Sequence, residues 1–155
     1  MCAAGLLAGA LSACSNSTFE ADKYLELNQR YNVSIERDKL GVPHVIGLRD
    51  VDTAFGFAWA QAEDNWPIMQ ETLAINRGVR GRTAGPDGAV TDFLIRWLRI
   101  WQTLDERYAS DLKPETRDFV EAFADGLNFY AANHPETSNF DLFPITGKDL
   151  SLIHI

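Results

Sequence analysis

From Tyr31 the apolar positions recur every second residue. Tyr31, Val33 and Ile35 alternate with Asn32, Ser34 and Glu36, the pattern of a half-buried strand running to Arg37. Asp38-Lys39-Leu40-Gly41 supplies a turn, and Val42 to Ile46 resumes extended. Pro43 has no N–H for a ladder, so the second strand lies at an edge or starts after it; the pair predicts a β-hairpin. From Asp50 the period becomes helical. Asp50 or Asp52 can cap, and Ala54, Phe55, Ala58, Trp59 and Ala62 form one stripe. Pro67 predicts a kink near Trp66, after which Ile68, Met69, Leu73 and Ile75 carry the helix to Gly78.

The flanks read differently. Lys23 to Arg30 is polar and weakly helical, a linker, and the Gly-rich stretch Arg80 to Ala89 is a loop. Thr91 caps a long amphipathic helix whose stripe is Phe93, Leu94, Trp97, Leu98, Trp101, Leu104 and Tyr108; Trp97 and Trp101 are assigned to the core rather than to a ligand cage. Pro114 suits the first turn of another helix, with Phe119, Val120, Phe123, Leu127 and Tyr130 buried and its end before Pro135. Each such side chain contributes about 1.5–3 kcal/mol when fully buried, so these stripes must pack on something. The fold class is α+β: an N-terminal β-hairpin followed by amphipathic helices.

The 155 residues amount to about one domain. An apolar share of 46% with 23% charged residues excludes a disordered chain and a membrane bundle. A net charge of −8 argues against nucleic acid as a partner. The two cysteines, Cys2 and Cys14, both stand near the start, so no disulfide framework is expected. Residues Ala3 to Leu11 are the size of a signal peptide's apolar region, although no Lys or Arg precedes them. Leu11-Ser12-Ala13-Cys14 resembles the bacterial lipobox, which makes Cys14 a candidate lipidation site and membrane anchor. The expected location is the periplasm, or the membrane of a bacterium as a lipoprotein.

One stretch narrows the reading. Arg37-Asp38, Gly41-Val42-Pro43-His44, Phe55-Gly56 and Ala60-Gln61-Ala62-Glu63-Asp64 follow in order, and Phe123-Ala124-Asp125-Gly126-Leu127-Asn128 comes after Leu112-Lys113-Pro114-Glu115. These residues resemble the start of the α subunit in the penicillin acylase family, which cleaves β-lactams, N-acyl-homoserine lactones and lipopeptides. Lys113 stands where the family commonly has a capping Ser, and Trp66-Pro67 departs from its usual continuation. The resemblance implies a precursor cut into α and β subunits, with an αββα sandwich fold. It also implies a β-subunit N-terminal Ser activated by its own α-amine. No Gly-Ser dipeptide, the family's usual cleavage junction, occurs here, so no catalytic residue is assigned in this chain and alone it is expected to be inactive. Calcium is possible in the full-length protein, with ligands outside this chain. The expected partners are the β subunit and a small acyl amide.

The resulting division is 1–22 leader, 23–149 the N-terminal portion of an acylase α subunit, and 150–155 a non-native tail, with a strand start as the alternative for the last. The family-motif residues Arg37, Asp38, Gly41, Pro43, His44, Phe55, Gly56, Gln61, Glu63, Asp64, Asp125, Gly126 and Asn128 are assigned structural roles. His44 invites a catalytic role, yet its place after Gly-Val-Pro beside a strand edge favours a structural hydrogen bond. Glu63 and Asp64 are adjacent and expected on different helix faces, with a capping or bridging role. Asp125 is read as a structural contact. Three scattered histidines give no metal spacing. The rival class is a lipid-anchored helical binding or scaffolding protein with no catalysis, whose aromatic stripes would be the partner surface.

Overall fold

A computed structural model describes residues 19 to 152. Its elements are α1 (Ala21–Leu25), a 3-10 turn (Glu26–Gln29), β1 (Val33–Arg37), β2 (Pro43–Gly47), α2 (Asp50–Asn76), α3 (Gly81–Ala84), α4 (Pro86–Trp97), α5 (Ile100–Asp111), α6 (Pro114–Asn133), a second 3-10 turn (Phe140–Leu142) and α7 (Gly147–Leu150). The leader with Cys14 and the last three residues lie outside the described residues.

The two strands pair antiparallel, Val33 opposite Gly47 and Arg37 opposite Pro43. The turn closes because the Asp38 carboxylate accepts from the N–H groups of Leu40 (2.8 Å) and Val42 (3.0 Å), while Gly41 takes φ +83°. Pro43 opens β2, where a missing donor costs least. The hairpin lies on α2 at Gly56: a Cβ there would stand 2.5 Å from Val33 Cγ2 and 2.9 Å from Val45 Cγ1.

α2 and α6 form the spine, and small residues set how closely they cross. A Cβ on Gly126 would meet the Phe55 carbonyl oxygen at 2.4 Å and Ala58 Cβ at 2.7 Å. Beyond that contact the core fills with Trp66, Leu73, Leu127, Tyr130, Leu142, Phe143 and Ile145. The expected kink is present, with Asn65 at φ −140°, ψ 28° beside Pro67.

Several expectations are corrected. The segment 23–30 is no linker: α1 and its 3-10 turn pack on α6, Leu27 is buried, and Phe19 stacks on Tyr24 at 4.7 Å. Its few apolar residues are too short a run to show a period. The stretch 80–89 is helical rather than a loop. Asp92 accepts from the N–H groups of Arg80 and Gly81, both at 2.8 Å, and Pro86 begins α4 after Gly85 at φ +62°. Thr91 therefore sits inside α4 instead of capping it. The single long helix expected from Phe93 to Tyr108 is two helices, broken where Arg99 takes the left-handed φ of +52°. Trp97 is not core; it is 68% exposed, because the break turns α4's stripe outward, whereas Leu104 and Tyr108 on α5 are buried. Trp101 is half-buried, its Nε1 donating to the Asn76 carbonyl at 2.9 Å. Residues 150–152 finish a helical turn rather than begin a strand, with the Ser151 hydroxyl donating to the Gly147 carbonyl at 2.7 Å.

Candidate functional site

The motif residues gather into three polar knots along the hairpin and the α2–α6 spine. At the outer end of the hairpin, the Arg37 guanidinium reaches Glu63 at 2.8 Å and Asp64 at 3.0 Å and donates to the Gly41 carbonyl at 2.8 Å. The expectation that Glu63 and Asp64 face apart is corrected: a turn of about 100° per residue still leaves both within reach of one forked donor between them. Trp59 Nε1 adds a donor to Glu63 at 3.0 Å. His44 Nε2 lies 3.5 Å from Asp38, whose carboxyl is held below its usual range first by the Val42 and Leu40 N–H groups. This knot is open to solvent and contributes little energy.

At the hairpin's base the knot is buried. Asp52 sits three residues into α2 and accepts from Arg49 Nη2 (2.6 Å), Arg49 Nε (2.9 Å) and the N–H groups of Asn32 and Arg49 (both 3.1 Å). It thus satisfies the helix start and ties β1 to it. Those hydrogen bonds, Arg49's foremost, hold its carboxyl at about 2. Close by, Asp125 on α6 accepts from the Tyr31 hydroxyl at 2.6 Å and from Arg30 at 3.3 Å; burial pushes its carboxyl up while the Tyr31 bond opposes that. Burial, then Asp125 itself, pushes the Tyr31 phenol up in turn. The Tyr31 ring stacks on Phe55 with centroids 4.4 Å apart. Tyr31, Phe55, Gly56, Trp59 and Phe129 line an open cleft of about 270 Å³ beside β1. Gln61 is half-buried on α2.

The third knot holds the segment Leu142 to Asp149. Asn128 Nδ2 donates to the Ile145 carbonyl (2.8 Å) and its Oδ1 accepts the Ile145 N–H (2.7 Å), both within the buried interior. Arg77 donates to the carbonyls of Leu142 and Pro144, each at 2.8 Å, and grips both oxygens of the buried Asp149, at 2.5 and 2.8 Å. Glu121 accepts from the Gly147 N–H (2.9 Å) and the Tyr108 hydroxyl (2.7 Å). Arg49, Asp52 as a buried anchor, Arg77, Glu121 and Asp149 escaped the sequence reading. Thr146-Gly147-Lys148-Asp149 was detectable as a capping box, and Asp149 does accept from the Thr146 N–H at 2.8 Å. Nothing local pointed to Arg77, whose partners lie 65 to 72 residues away.

These groups satisfy one another. Among the described residues no buried side-chain polar atom lacks a partner, and no hydroxyl or thiol hydrogen-bonds a histidine ring. Nor do three His, Cys, Asp or Glu side chains converge as a metal site there. The arrangement ties segments of the chain to one another.

The penicillin amidase family profile matches residues 32–150, which takes in the three knots except for Arg30 and Tyr31. The chain belongs to the penicillin amidase family. Acyl-homoserine lactone acylase PvdQ of Pseudomonas savastanoi pv. phaseolicola is 28% identical over 109 residues, covering 65% of this chain and 14% of that protein. Aculeacin-A acylase of Actinoplanes utahensis is 34% identical over 97 residues, 63% of this chain and 12% of that protein. Among solved structures, thermostable penicillin G acylase of Alcaligenes faecalis superposes with a TM-score of 0.66 at 25% identity, over 79% of this chain and 69% of that one. This penicillin amidase chain thus spans about one-seventh of the curated relatives' length, and its helices and hairpin form part of their fold.

Proposed function

We propose that the chain is the N-terminal part of the α subunit of an acyl amidase, and that it scaffolds a β subunit which brings the attacking hydroxyl. The observation that carries this is the family match across 32–150, combined with knots that tie distant segments of the chain together. In this reading the β subunit's N-terminal Ser attacks the amide carbonyl and its α-amine takes the proton. The acyl-enzyme then yields to water. The hairpin has one face on α2, and Leu40, Val42, Ile46 and Leu48 stand exposed around it, a bare apolar surface suited to a strand-rich partner. The substrate class is an acyl amide such as an N-acyl-homoserine lactone or a β-lactam, in keeping with the relatives' names. Calcium in the complete enzyme belongs to the same proposal. Export to the periplasm and lipidation of Cys14 belong to the same proposal. No helix among the described residues is long and apolar enough to cross a membrane.

The test compares two products. The 155-residue chain should leave a chromogenic acyl amide and long-chain acyl-homoserine lactones intact, while the protein from the complete reading frame should hydrolyse at least one of them. Turnover by the short chain, or an inert complete protein that is correctly cut, would sink the reading. The complete frame also decides against the scaffolding alternative if it encodes a Gly-Ser junction and a β subunit.

A further inference from the structure

β1 has one paired side and one bare side, and the phase of the ladder shows which atoms are bare. The Asp38 N–H donates to the Val42 carbonyl at 3.1 Å, and the register runs on through Glu36 opposite His44 to Ser34 opposite Ile46. In an antiparallel pair every second residue exchanges bonds with its partner, so Ser34 and Glu36 are engaged with β2. Val33, Ile35 and Arg37 turn their N–H and C=O groups the other way, and no backbone group meets them among the described residues. On β2 the residues turned outward are Pro43, Val45 and Gly47, and the first of these has no N–H.

Free edges are normally blunted by proline, lysine or a bulge. β2 carries Pro43 on its edge. β1 has no proline, lysine or bulge, and its one cation, Arg37, is tied down by Glu63 and Asp64. The open cleft of about 270 Å³ lies along this unguarded edge, lined by Val33 and Ile35 and by Phe55, Trp59 and Phe129. The Phe129 ring on α6 lies 5.4 Å from Phe55 and 5.2 Å from Trp59, centroid to centroid, so an aromatic floor runs from α2 to α6. Strands lie about 4.8 Å apart and packed helices about 8–10 Å, so two strands cover about one helix. The hairpin covers α2 at Gly56 and stops short of Phe129.

We propose that a third strand pairs with the free edge of β1 and seats its alternate apolar side chains over Phe55, Trp59 and Phe129. Backbone bonds along the edge give this docking its strength, and the aromatic floor selects the side chains. The strand comes from the remainder of the same protein. This chain spans about one-seventh of its relatives' length, and an edge without a guard is one that a protein covers with its own chain. Assigning the strand to the β subunit rests on the acylase reading.

The experiment reads residue-resolved amide exchange in the protein from the complete reading frame. Val33, Ile35 and Arg37 should exchange as slowly as Ser34 and Glu36, and at least roughly tenfold more slowly than Val45. Two matched variants add a second readout. Ile35 and Val45 stand opposite each other and both are half-buried, so Ile35→Pro and Val45→Pro remove similar packing and no ladder bond. They differ in which edge loses its donor. Ile35→Pro should speed separation of the α and β subunits in urea at least roughly tenfold over Val45→Pro. Fast exchange at Val33, Ile35 and Arg37 overturns the proposal, and so do equal effects of the two prolines. Protection that disappears on dilution would give the edge to a second copy and overturn it as well. Hydrolysis is read separately. An active, cut enzyme with these amides unprotected sinks the strand and keeps the acylase reading; an inert protein with them protected does the reverse.

Discussion

The body and the arm use the same alphabet of aromatic and arginine side chains to opposite ends. In the body, residues 31–76 with α6 and the segment to Asp149, small residues let helices touch, aromatics fill the gap, and each arginine knot joins segments far apart in sequence. In the arm, residues 81–111, Leu104 and Tyr108 reach the interior, but α4 turns its aromatic face to solvent, and its one arginine, Arg96, donates to the Gly78 carbonyl at 3.3 Å. An amphipathic stripe therefore states that a face will be covered, and does not state by what. The body's stripes are covered by each other, α4's by nothing within the described residues.

Substitutions sharpen that contrast. Asp149→Ala leaves the Arg77 guanidinium facing a buried gap and should destabilise the protein by about 3–5 kcal/mol in denaturant unfolding; a loss below roughly 1 kcal/mol would show that the third knot is ornamental. Gly126→Ala drives a methyl into the Phe55 carbonyl across the α2–α6 crossing. About 1–3 kcal/mol should be lost, unless the helices part freely. The base of the hairpin should add a pH dependence. Asp52's carboxyl is depressed to about 2, so its contribution is complete above the ordinary value of 3.8 and is lost as pH falls through about 2. Asp52→Asn should flatten the acid limb of a stability–pH curve between those values, and an unchanged limb would assign it to other carboxylates.

The arm should respond weakly or in the other direction. Arg99→Gly relieves a left-handed residue between α4 and α5 and should raise stability by about 0.5–1 kcal/mol. A loss instead would mean that the arginine side chain secures that bend. Trp97→Asp should change unfolding by under about 0.5 kcal/mol, and a large loss would bring α4 into the core and erase the contrast.

Much of this was legible beforehand. The hairpin, its turn and its Pro43 start follow from period-two alternation and from Asp38 and Gly41, because strand and turn geometry are local. Likewise the kink at Pro67 and the start of α6 at Pro114 follow from a missing donor and a preset φ. What escaped was long-range or small. Arg77 has a helix-end position like many others until the Leu142–Asp149 segment folds back on it. α3 has four residues and depends on Asp92 from the next helix to satisfy its first N–H groups.

On its own, then, the sequence determined the hairpin, the kinked α2, the start of α6 and the family's motif residues, since periodicity, proline and glycine act within a few residues of themselves. Only the tertiary structure decided which stripe is core and which is surface, and that Glu63 and Asp64 share one guanidinium. Those outcomes depend on which distant surfaces arrive first at van der Waals contact, and no local pattern encodes that.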